Sequence, residues 1–80
     1  MTTDEILVDA RGHRCPVPTL KLRRALEGSA PGARVRLLAD DPLARIDVPH
    51  FAAGIGARLL ELSEPDPNVL SFLVEKPHPA

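Results

Sequence analysis

Two prolines one residue apart, Pro16 and Pro18, constrain the fold of this chain more than any other feature. Each fixes its own φ and removes a backbone N–H, so each is tolerated in the first turn of a helix, where that donor has no partner anyway. Each also drives the residue before it, Cys15 and Val17, away from helical geometry. A helix therefore opens here, either at Pro16 with Cys15 as its N-cap or only at Pro18, and Cys15 enters extended. Before it lie a strand-like run, EILVDA (5–10), and a loop, ARGHRC, with Gly12 as its flexible point. After it, from Pro18 to Glu27, Leu22, Ala25 and Leu26 share one helical face, Leu20 lies near it, and Lys21 and Arg24 point elsewhere.

The remaining pattern extends this strand–helix unit. Gly28 is placed to stop the helix, SAPGA reads as a turn, and RVRLLA (34–39) as a second strand with Val35 and Leu37 on one side. In ADDPLARIDVP, Asp41-Pro42 opens a short helical turn. Asp47 has the side chain of an N-cap for a helix beginning near Val48-Pro49 and running through Phe51 and Ile55, kept short by Gly54 and Gly56. ARLLELSE (57–64) sets Leu60 and Leu62 against Glu61, PDPN is a turn, and VLSFLVE (69–75) is the last strand. The closing residues, 75–80, are expected to fray.

The order β-α-β-α-β-β makes the first two strands parallel and the last two an antiparallel hairpin. The expected fold is an α/β two-layer sandwich, with a four-stranded mixed sheet and two helices on one face. The other face is expected to be partly wet. Eighty residues allow one domain, 1–80, burying only about 60% of the surface of its unfolded chain. Its core is aliphatic, with Phe51 and Phe72 as the only aromatics.

Composition removes several classes of function. No stretch approaches the roughly 18 apolar residues of a membrane span. MTTDEILVD carries acids where a secretory signal is basic, so the expected location is a reducing cytoplasm, where a lone thiol stays free. A net charge of −1 gives no general attraction for nucleic acid. A single cysteine excludes an internal disulfide and a CxxC-type zinc site. His13 and Cys15 supply only two metal ligands, with His50 and His78 distant in sequence, so neither metal nor cofactor is expected.

The lone thiol sits in an acid-free run, Arg11 to Arg24, that carries four arginines, a lysine and a histidine. One reading of that run is a solvated helix face. Placed at a helix entrance beside Arg14 and two residues after His13, Cys15 is expected to have a modestly lowered pKa, because a helix N-terminus and nearby cations favour thiolate. The competing reading is a small buried hydrophobe. A Cys–His hydrolase needs an orienting third group and a larger pocket than so small a domain provides. Chemistry on another protein's exposed sulfur fits the size better.

DARGHRCPVP (9–18) resembles the signature of the TusA/SirA family of small sulfur-carrier proteins, a CPxP motif at the start of the first helix. Pro31-Gly32, ADDP (39–42) and DVPHF (47–51) resemble family positions in the same order. The resemblance implies the β-α-β-α-β-β sandwich and a sulfurtransferase role. Cys15 would take sulfane sulfur as a persulfide from a donor protein, a cysteine desulfurase or a rhodanese-like protein, and pass it to a sulfur-acceptor protein.

Pro16 and Pro18 would position the thiol, and Asp40, Asp41 and Asp47 match family acids that serve partner docking or helix capping. His13, Arg14, Arg11, Lys21 and Arg24 are candidates for tuning it or steering an acidic partner. The sequence departs from the family at His13, often leucine there, and near Ala52, where some members carry a second cysteine at the start of the second helix. Two other readings stand beside this one. One is a regulatory or interaction module in which Cys15 is dispensable. The other is a small RNA-binding domain, disfavoured by the acidic balance and the absence of stacking aromatics.

Overall fold

A computed structural model describes residues 5–77. Its elements are β1 (Glu5–Asp9), α1 (Val17–Glu27), β2 (Arg34–Ala39), α2 (Ala44–Gly54), β3 (Arg58–Asp66) and β4 (Val69–Glu75). The sheet order is β1-β2-β4-β3. β1 runs parallel to β2, from Glu5 opposite Arg34 to Asp9 opposite Leu38. β4 is antiparallel to both β2 and β3. The two helices pack together on one face of the sheet, in the order and architecture expected from the sequence.

Alternation along the central strands builds the core. Val35, Leu37 and Ala39 of β2 lie opposite Val74, Phe72 and Leu70 of β4, and all six are buried. From above, α1 contributes Pro18, Leu22 and Leu26, and α2 contributes Ala44, Val48 and Ala52. Small residues on α2 allow close approach to the sheet, so a core with few large side chains still closes.

The opposite face is less wet than alternation suggests, because Ser71, Leu73 and Glu75 are buried there too. Long arginine side chains cover them. Arg36 donates to Ser71 Oγ (2.8 Å) and pairs with Glu5 (2.8 Å) and Glu61 (3.2 Å). Arg34 and Arg58 flank Glu75 at 3.6 and 3.7 Å.

Three expectations are corrected. α2 does not begin at Val48 under an Asp47 cap; it begins at Ala44, with Asp47 in its first turn and Pro49 inside it. Asp41-Pro42 opens that same helix: Asp41 Oδ1 accepts the Leu43 N–H at 3.1 Å, and its carbonyl accepts the Ala44 N–H at 3.0 Å. In β3 the pairing shifts register between Leu59 and Glu61, so Leu59, not Leu60, shares a face with Leu62, opposite Val74 and Phe72. Gly28 closes α1 as expected, with φ −84. The chain end is ordered further than expected: Glu75 belongs to β4, and the backbone of Lys76 bonds to Ala33 (2.8 Å) and Gly32 (3.1 Å). Residues 78–80 of the expected tail lie outside the described residues.

Candidate functional site

The loop after β1 and the loop after β2 leave neighbouring strands at the same sheet end, and carboxylates from the second hold the first. Gly12 takes φ +84, a conformation costly for any residue with a side chain. There its N–H is shared between Asp40 Oδ1 (2.9 Å) and Oδ2 (3.0 Å). Three residues on, the Cys15 N–H donates to Asp41 Oδ2 at 2.7 Å. These contacts span 28 and 26 positions of sequence.

Cys15 and Pro16 form the corner of a turn closed by the Val17 N–H to the Arg14 carbonyl (2.9 Å), and the Cys15–Pro16 peptide is cis. Pro16 is the N-cap of α1, with Pro18 in the first turn. Cys15 therefore stands one residue outside the cap, not at it. Pro18 is buried beneath the site, and Pro16 is exposed. The two prolines thus occupy different environments, one in the core and one at the surface.

A cleft of about 610 Å³ opens in front of the thiol, lined by Gly12, His13, Arg14, Cys15, Asp40, Asp41, Pro42 and Leu43. Cys15 itself is half-buried and packs against the core. Its electrostatics reverse the sequence expectation. Burial, a hydrogen bond and charge repulsion from Asp47, and repulsion from Asp41 push the Cys15 thiol up to about 12. The end of α1 offers roughly half a positive charge, and Pro16 and Pro18 bring no N–H to it. Two full carboxylate charges outweigh that. Asp41 is held below the usual carboxylate range by the N–H groups of Cys15 and Leu43.

The basic run also does not converge on the thiol. Arg11 forms a two-pronged pair with Asp9 (2.9 and 2.8 Å), and Lys21 lies 3.5 Å from the Asp9 carbonyl oxygen. Arg24 sits in the last turn of α1, about 10 Å along the axis from Val17 at 1.5 Å per residue. Only Arg14 and His13, both exposed, line the cleft from that run. Ala52 is buried in the last turn of α2, not near its start. Leu43 and the neighbouring Ile46 escape the sequence reading because an apolar residue at a helix start looks like core. Here they are 56% and 67% exposed.

Residues 6–76 match the family described as Sulfurtransferase TusA. A protein of Archaeoglobus fulgidus is 38% identical over 68 residues, covering 85% of this chain and 88% of that one. The sulfur carrier protein TusA of Pseudomonas paraeruginosa is 32% identical over 72 residues, covering 90% and 91%. The crystal structure of a SirA-like protein from Desulfitobacterium hafniense superposes with a TM-score of 0.80 at 30% identity, over 91% of this chain and 99% of that one.

Proposed function

This chain belongs to the TusA sulfurtransferase family, and from that membership we propose that it is a single-domain sulfur carrier working through a persulfide on Cys15. The observation that carries the assignment to this atom is the cleft: the one cysteine of the sequence lines it, at a corner clamped by Asp41. In the loading step the Cys15 thiol loses its proton and its sulfur attacks the outer sulfur of a donor persulfide. A new S–S bond forms, the donor's own S–S bond breaks, and the donor leaves as a thiolate that takes up a proton. Delivery repeats the exchange with Cys15 as the leaving thiol. Neither direction requires an oxidant, a reductant, a metal or a second cysteine in this chain.

The donor on this reading is a cysteine desulfurase or a rhodanese-like protein, and the acceptor is a second protein thiol, in a reducing cytoplasm. The chain then acts as a sulfurtransferase whose substrates are proteins. Arg14 and His13 are the basic residues that line the thiol's cleft. Incubation with a cysteine desulfurase and cysteine, followed by intact mass measurement, tests the proposal. A gain of one sulfur atom, absent in Cys15→Ser and reversed by a reductant, is the expected result. No gain with either class of donor refutes it.

A further inference from the structure

The surroundings of Cys15 are acidic where the thiol reacts and apolar at the rim. Asp40 and Asp41 line the cleft, and Asp47, in the first turn of α2, adds a charge that opposes ionisation of the thiol. Of the cations in the preceding loop, Arg11 is committed to Asp9, which leaves Arg14, with His13, in the cleft. Two carboxylates thus share the cleft with one guanidinium, and Asp47 adds a third negative charge near the thiol. On the lip, Leu43 lines the cleft and Ile46 follows three residues on, the spacing at which helical side chains are neighbours. Both are exposed.

Resting on the carrier reading, we propose that Asp41 and Asp47, with Asp40, set the charge of the protein that docks here: a donor that presents a lysine or arginine beside its persulfide and an apolar contact for Leu43 and Ile46. The reasoning is electrostatic. A persulfide anion approaching three carboxylates is repelled unless its own protein brings a cation, and that repulsion acts on encounter rate and on choice of partner. A cation seated on Asp41, which lines the cleft, also offsets one of the charges that oppose the Cys15 thiolate, so docking and release of the nucleophile coincide. The donor surface is therefore basic, the reverse of what the Arg11–Arg24 run suggests.

Thiol–disulfide exchange with small charged disulfides reads this selection without any sulfur relay. Cystamine carries two positive charges and dithiodipropionate two negative ones. In each case the Cys15 thiolate attacks one sulfur, the old S–S bond breaks, and the departing thiolate takes up a proton. With rates normalised to the same pair reacting with 2-mercaptoethanol, the wild-type chain at low salt is expected to favour cystamine by about tenfold or more. The preference should shrink as salt screens it, fall at least severalfold in Asp47→Asn and invert in Asp47→Lys. The salt series needs no variant, so misfolding cannot mimic the result.

A normalised preference within about twofold of unity, or one unchanged by both salt and Asp47→Asn, overturns the proposal. In the same protein, Ile46→Ser, at an exposed position outside the cleft lining, should slow loading from a desulfurase while leaving both small disulfides unaffected; equal loading removes the apolar half of the surface. Loading without charge preference refutes only this inference. Charge preference without loading by any donor refutes the carrier reading.

Discussion

Asp41 Oδ2 accepts the backbone N–H of Cys15 at 2.7 Å, and the charge that holds the loop in place also acts against ionisation of the thiol it positions. Loop geometry and thiol reactivity therefore cannot be adjusted independently at this residue. A carrier benefits from that coupling. A neutral resting thiol is a poor target for oxidants and stray electrophiles, because the thiolate is the reactive form.

The first consequence concerns alkylation. With its thiol pushed up to about 12, Cys15 should react with iodoacetamide at a rate that rises about tenfold per pH unit from pH 7 to 10. No plateau should appear near pH 8.5, where a free thiol levels off. The same chain unfolded in guanidinium chloride should show that ordinary plateau. A folded-state plateau below about pH 9 would remove the acidic shell from the account of this site.

Stability should carry the same signature. A thiol whose folded pKa lies above its unfolded value favours the native state fully below the unfolded value, about 8.5, and loses that contribution as pH rises towards the folded one. Denaturant midpoints of the wild type should therefore fall more steeply between pH 9 and 12 than those of Cys15→Ser. The two curves should run parallel below about pH 8. Parallel curves throughout would mean that the thiolate is not disfavoured by folding.

The architecture was legible because it rests on periodicity: alternation in 34–39 and 69–75 and the Leu22–Ala25–Leu26 face specify buried surfaces locally. Asp47 and Leu60 were misread for a reason of the same kind. A capping side chain and a two-residue alternation are local signals; the first lost to a competing local start at the Asp41-Pro42 turn, and the second to a non-local shift of register against β4. The site was half legible. CPVP marks Cys15 in one segment, but its burial comes from tertiary packing, and the carboxylates that add to the effect arrive from residues 26 and more positions away, through pairing of β1 with β2. Charge counted along the chain showed a basic run; charge counted in space shows an acidic cleft.

Gly12 offers a separate check on the loop clamp. Open space surrounds the position of an added Cβ, so Gly12→Ala meets no clash, only the cost of φ +84. That cost is about 1–2 kcal/mol. Thermal or urea unfolding should show a loss of this size with the far-UV spectrum unchanged. Cys15 should also become more readily alkylated, as the loop held by Asp40 loosens. Retention of full stability would mean that the loop reaches another conformation at no cost, and that the Gly12–Asp40 contact does not hold the site.

Asp41 itself should be tested across pH. Its carboxyl is held below the usual range by the N–H groups of Cys15 and Leu43, so its contribution to stability is present above its unfolded pKa of about 3.9 and lost as pH falls through the lower folded value. Asp41→Asn keeps the shape of the side chain and one acceptor oxygen but carries no charge. It should be less stable than the wild type at pH 7 and pH 5, and the gap should close as the medium approaches about pH 2. Iodoacetamide should meanwhile react faster with the variant at neutral pH, since one of the charges opposing the thiolate is gone. A stability gap that is independent of pH would assign Asp41 a role in shape alone. Slower alkylation would mean that its charge does not oppose the thiolate.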